Sequence, residues 1–82
     1  MYNLYTEDIH RRMVEKILSR HFRGFTETTA RGFWEGKPEK SLVISVADAR
    51  GSDIKQAATE IKRANKQQAV LVVKSQTEDK LI

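Results

Sequence analysis

The sequence predicts an α+β fold of order β-α-β-β-α-β, and three observations carry that prediction. Apolar residues recur at helical spacing in two stretches, one after Thr6 and one after Asp53. Between Gly24 and Ala47 the period drops to two, with turn residues in the middle. A short apolar run, Ala69 to Val73, follows the second helical stretch. Two split βαβ halves of this kind make the ferredoxin-like sandwich, a four-stranded antiparallel sheet with two helices on one face.

Tyr2 to Tyr5 alternates large and polar side chains, as a short first strand does. Thr6 reads as an N-cap, with Glu7 and Asp8 in a first turn where the helix dipole favours negative charge. Ile9, Met13 and Ile17, flanked by Val14 and Leu18, form the apolar stripe of a helix of about fifteen residues that Gly24 stops. From there Phe25, Glu27, Thr29, Arg31 and Phe33 point one way, while Thr26, Thr28, Ala30, Gly32 and Trp34 point the other. Glu35 to Glu39 supplies the turn, and Leu42 to Ala47 the second strand of the hairpin. Asp48 to Asp53 is a loop ending in a helix cap. Ile54, Ala57, Ala58, Ile61 and Ala64 mark the buried stripe of the second helix, whose alanines let it lie close to a sheet. Ala69 to Lys74 is the last strand, and residues 75–82 read as a polar tail to the single domain spanning 1–82.

Such a fold covers one face of its sheet. Some combination of Phe25, Phe33, Trp34, Val43 and the strand around Val72 is left to meet solvent, a ligand or another subunit. Eighty-two residues also bury a small core that rarely supplies more than a few kcal/mol, so assembly of copies is expected.

Composition narrows the function classes. No stretch approaches about 18 apolar residues, which argues against a membrane-spanning helix. The opening residues carry no basic leader followed by an apolar block, so a cytoplasmic protein is expected. There is no cysteine, hence no disulfide framework, thiolate nucleophile or sulfur-ligated metal. His10 and His21 are too far apart for one helical face to present together, and no metal site or cofactor is expected. Fifteen Lys and Arg against eleven Asp and Glu give a net charge of +4, but the signs are interspersed along the chain. A mixed-charge surface fits this better than a dedicated nucleic-acid face. Arg31-Gly32-Phe33-Trp34 echoes the aromatic motif of RNA-recognition domains, yet it lies on the second strand rather than the third. Its adjacent rings also face opposite ways.

Two segments hold the candidate binding chemistry. The hairpin brings Trp34, Glu35 and Glu39 together at its tip. Gln67 and Gln68 precede the last strand, which ends in Lys74 and Ser75. Cations and amides beside an aromatic wall suit a zwitterionic or anionic ligand. The plainer alternatives are a solvated hairpin end for Glu35 and Glu39, and an edge-strand charge that discourages aggregation for Lys74.

At these residues a resemblance enters. Gln67-Gln68-Ala69-Val70-Leu71-Val72-Val73-Lys74-Ser75-Gln76-Thr77 resembles the last core strand of the small phage S-adenosylmethionine lyases, the anti-restriction "SAM hydrolases". Gly32-Phe33-Trp34 and Pro38-Glu39-Lys40-Ser41 resemble that family's Gly-x-Tyr and Glu-Lys-Thr elements flanking a hairpin, with Trp34 in the tyrosine's position and a shorter hairpin. A looser version occurs in PII-like phage and bacterial proteins. The resemblance implies a ferredoxin-like fold, a homotrimer joined through its sheets, and a ligand at the subunit interface. It implies cleavage of S-adenosylmethionine to methylthioadenosine and homoserine lactone, with no cofactor, in the cytoplasm of a host. In that frame Glu39 faces the sulfonium, Trp34 stands beside it, and Gln67, Gln68 and Lys74 line the adenosine or carboxylate region. A noncatalytic PII-like module that binds a small ligand or a host protein stays open, as does, more remotely, an RNA binder.

Overall fold

The computed structural model describes residues 1–75. Its elements are β1 (Tyr2–Glu7), α1 (Arg11–His21), β2 (Thr26–Trp34), β3 (Lys37–Val46), α2 (Gly51–Asn65) and β4 (Leu71–Lys74). The strands form one sheet of order β2-β3-β1-β4, each neighbouring pair antiparallel, and the two helices complete an α+β ferredoxin-like fold. The polar tail expected beyond Ser75 lies outside the described residues.

Register decides which face each residue serves. Leu4 stands opposite Ile44 on one side and Val72 on the other, and Thr6 stands opposite Leu42. These residues point toward the helices, where Leu4, Ile44 and Leu42 meet Val14 and Leu18 of α1 and Ile54 and Ile61 of α2 in one buried cluster. Leu4 sits at the middle of that cluster with no exposed surface. Truncating a leucine so placed costs about 2–5 kcal/mol, a large share of what a small domain has.

The first helix begins later than its sequence suggests. β1 is paired through Glu7, opposite Ser41, and Asp8 extends the ladder by donating its backbone N–H to the Lys40 carbonyl at 3.0 Å. Thr6 is therefore a buried strand residue and not a cap. His10 takes the N-cap position in the left-handed region (φ 51°), which histidine tolerates better than most side chains. Ile9 is left outside the helix and exposed.

The hairpin turn is tighter than the Glu35–Glu39 stretch implies. Glu35 and Gly36 both have positive φ (51° and 78°), and Trp34 pairs directly with Lys37. This is the two-residue turn whose twist matches the flanking strands. Pro38 consequently lies within β3 rather than in the turn. It pairs with Phe33 beyond the end of β1, so its missing N–H costs no ladder bond to a third strand. α2 also starts at Gly51, before Asp53, and β4 starts at Leu71.

The face away from the helices carries Tyr5, Val43, Leu71 and Val73, with Trp34 at the hairpin end, as the register of all three strand pairs requires. Phe25 instead packs against the core. Phe33 and Val72 fall on the helix side by register, although both are exposed there. No helix among the described residues is long and apolar enough to cross a membrane.

Candidate functional site

A cleft of about 610 Å³ opens at one end of the uncovered sheet face. Three pieces of chain build it. The β2–β3 hairpin supplies Gly32, Trp34, Glu35 and Glu39. The end of β1 supplies Tyr5 and Glu7, and the connection from α2 to β4 supplies Lys66, Gln67 and Gln68. The volume falls within the range of about 300–1,000 Å³ typical of small-molecule sites.

Gly32 gives the cleft its floor. It is paired with Glu39, and a Cβ built on it would lie 2.5 Å from Ser41 Oγ and 3.9 Å from Glu39 Cγ. With no side chain at that position, the half-buried Glu39 borders open space instead of a neighbour. Trp34 is half exposed and walls the cleft at the turn, where the left-handed pair Glu35 and Gly36 reverses the chain. Glu7 enters from β1 on the same face, two rungs from that floor, because its pairing partner is Ser41.

The opposite wall is held by a hydrogen-bond network. Gln67 Oε1 accepts from Thr6 Oγ1 at 2.8 Å and from Asn65 Nδ2 at 3.2 Å, while Gln67 Nε2 donates to the Ala69 carbonyl at 2.7 Å. Asn65 Oδ1 meets His10 Nδ1 at 3.3 Å. Thr6 and Asn65 are the buried polar residues of this end of the molecule.

Among the described residues, the charge lining the cleft is three carboxylates, Glu7, Glu35 and Glu39, against the single cation of Lys66. In a chain of net charge +4 this is a local reversal of sign. An aromatic face beside carboxylates suits a ligand with a positive centre. Lys66, in the left-handed region at the C-cap of α2, offers a point charge to an anionic group. A hydrogen bond from Arg11 holds the Asp8 carboxyl below its usual range, and one from His21 does the same for Glu60. Glu27 is pushed up by its contact with Glu15 and by burial.

Of the residues singled out from sequence, Trp34, Glu35, Glu39, Gln67 and Gln68 share this cleft. Lys74 and Ser75 do not. Lys74 pairs with Tyr2, its Nζ 5.7 Å from the centre of that ring, and Ser75 donates its backbone N–H to the Met1 carbonyl at 2.8 Å. They sit about 10 Å farther along β4 than Leu71, at the other end of the sheet. Phe33 and Trp34 occupy successive rungs and face opposite sides, so they form no two-ring stacking platform. Sequence reasoning missed Glu7, Lys66 and Asn65. The first was legible, since Tyr5 and Glu7 continue the alternation that begins at Tyr2. Asn65 carried no such signal, because its role depends on a partner 55 residues away.

Among the described residues no group of three or more His, Cys, Asp or Glu side chains is placed to hold a metal ion. No protein-family model matches this sequence, and no curated protein matches it.

Proposed function

We propose that this chain is an S-adenosylmethionine lyase that acts in the hairpin cleft and works as a homotrimer joined through the uncovered sheet. The observation that carries the reading is the convergence of Trp34, Glu35 and Glu39 with Gln67 and Gln68 on one cleft, from segments far apart in sequence.

The reaction asks little of the protein. An oxygen of the substrate's own carboxylate attacks Cγ of the methionyl chain, and the Cγ–S bond breaks. The electron pair leaves with sulfur, giving methylthioadenosine and homoserine lactone. No proton or water enters the bond-making step, so no protein nucleophile is required. Carboxylate and sulfonium cancel each other's charge as the bond forms, and an apolar surface therefore favours the transition state over the separated ions. In this reading Trp34 supplies that surface, Glu39 and Glu35 orient the sulfonium, and Lys66 with Gln67 and Gln68 holds the rest of the substrate in the folded conformation that ring closure needs. Lys74 and Ser75, remote from the cleft of their own chain, contribute only if a neighbouring copy brings them to it. Loss of the methyl donor serves a phage against restriction in the cytoplasm of its host.

Incubation of micromolar protein with S-adenosylmethionine, followed by chromatography for methylthioadenosine, tests the reading. Product formation is expected, and its absence refutes catalysis. Trp34 favours one second reading, a noncatalytic module on the same cleft, since an indole lacks the phenolic hydroxyl of the tyrosine it replaces. Binding without product identifies that module.

A further inference from the structure

The cleft wall opposite Trp34 has a fixed hydrogen-bond polarity that can be deduced from a single atom. The Ala69 carbonyl can only accept, so the Gln67 atom 2.7 Å from it is Nε2. Oε1 then faces Thr6 and Asn65, and both must donate to it, at 2.8 and 3.2 Å. If Asn65 gives its Nδ2–H to Gln67, its Oδ1 faces His10, whose Nδ1 must carry the proton across the 3.3 Å contact. One backbone carbonyl thus orders four side chains, from the cleft out to an exposed imidazole.

We infer that Gln67 is a donor-only group toward the cleft, and that Asn65 and Thr6 are positioning residues that keep it so. Both lone pairs of Oε1 are occupied and one Nε2 hydrogen is bound to Ala69, so a single amide N–H is left for a ligand. That side of the cleft selects a ligand bearing an acceptor there, a ring nitrogen or a carbonyl or carboxylate oxygen, and disfavours one bearing a donor. An amide free to flip would tolerate either. The assignment to substrate selection rests on the lyase reading, while the polarity itself does not.

Protein ¹⁵N-labelled at glutamine side chains separates the two. Without ligand, the two Nε2 protons of Gln67 are expected to differ, one protected from solvent exchange by Ala69 and one exchanging freely. On titration with S-adenosylmethionine the free proton is expected to shift and gain protection. Asn65→Asp removes the donor to Oε1, so the amide turns toward the new carboxylate. The expected result is loss of the proton asymmetry and at least tenfold weaker S-adenosylmethionine binding, with Thr6→Val acting in the same direction. Asn65→Ser, which retains a donor, is expected to recover part of the affinity, which a merely structural role would not require. Equal exchange of the two protons in the wild type overturns the inference whatever binds. Asymmetric protons that do not respond to S-adenosylmethionine overturn the assignment of Gln67 to substrate selection and uphold the polarity. Undiminished affinity in Asn65→Asp overturns the positioning role.

Discussion

Replacing Glu27 by glutamine is expected to stabilise the protein, and by an amount that depends on pH. Glu27 stands on β2 opposite Ile44, on the helix-facing side of the sheet. Its Oε2 is buried with no hydrogen-bond partner among the described residues. The carboxyl of Glu15 lies beside it, and that contact becomes a hydrogen bond only when one of the two holds a proton, which is the leading reason the Glu27 pKa is raised from 4.5. Burial and the negative charge of Glu15 push the same way, while Arg11 opposes them. A buried polar atom without a partner costs about 1–3 kcal/mol, and the counter-charge of Arg11 places this one near the lower end. Glutamine is neutral and offers N–H donors to Glu15, so a gain of about 1 kcal/mol at pH 7 is expected, or about 4–8 °C in Tm for a domain of this size. The sign of the pH dependence follows from the raised pKa. The folded chain holds this proton to higher pH than the unfolded chain does. The stability from the protonated form is fully present below 4.5 and is lost as the pH rises through the raised folded value. The advantage of Glu27→Gln is therefore smallest below 4.5 and grows as the pH rises through the raised folded value. Urea or thermal unfolding of both proteins across this range reads the difference directly, because titrating groups remote from Glu27 cancel in it. A variant no more stable than the wild type at pH 7, or a gain independent of pH, refutes the reasoning.

Other outcomes follow from the same structure. Glu39→Gln is expected to abolish methylthioadenosine formation while light scattering shows unchanged assembly; an undiminished rate removes Glu39 from the site. Gly32→Val places branched carbons where a Cβ already comes within 2.5 Å of Ser41 Oγ, so it fills the floor of the cleft. Calorimetry should show at least a tenfold loss of affinity for the adenosyl ligand, and an unchanged value means the ligand lies elsewhere. Glu60, held below its ordinary pKa chiefly by the 2.8 Å contact with His21, contributes stability above 4.5 that is lost as the pH falls through its lowered value. Glu60→Gln should therefore lower Tm at pH 7, and the loss should shrink as the pH falls through that lowered value, as calorimetric scans across the acid range will show. Leu71→Lys puts a charge on the exposed apolar face opposite Tyr5 and is expected to turn the proposed trimer into a monomer in size-exclusion with light scattering.

Most of the fold was legible because its signals are local. The alternation from Phe25 to Trp34 assigns both faces of β2 correctly, and Ile54, Ala57, Ala58 and Ile61 mark the side of α2 that is buried. Errors arise where tertiary pairing overrides a local preference. Thr6 followed by two acids is a sound helix start by propensity, but β1 is paired with β3 through Glu7 and holds Thr6 extended, and its hydroxyl serves Gln67 rather than a helix end. Pro38 suggested a turn, whereas Glu35 and Gly36 complete the reversal in two residues and leave the proline in a strand. The site was legible to the extent that hairpin tip and final strand are near in this topology. Trp34, Glu39 and Gln67 meet because β1, between them in the sheet, ends where the cleft begins. Lys74 and Ser75 were grouped with Gln67 by sequence adjacency. A strand carries its residues away at about 3.4 Å each, and β4 takes Lys74 and Ser75 out of the cleft that Leu71 lines.

Tyr5 and Leu71 connect the cleft to the rest of the uncovered sheet. Both line the cleft, they face each other across the β1–β4 ladder, and both are exposed. Any copy of the chain that covers this apolar face also encloses the side of the cleft that one chain leaves open. Ligand binding and assembly then cease to be independent equilibria. A ligand held between copies favours the assembled state, and assembly must raise affinity for that ligand by the same factor. In the proposed trimer, affinity for S-adenosylmethionine therefore rises with protein concentration until assembly is complete. The same dependence should vanish in Leu71→Lys even though that substitution leaves Trp34, Glu39 and Gln67 in place. A cleft that works within one chain has no reason to show either behaviour, so affinity measured against protein concentration distinguishes a shared site from a private one.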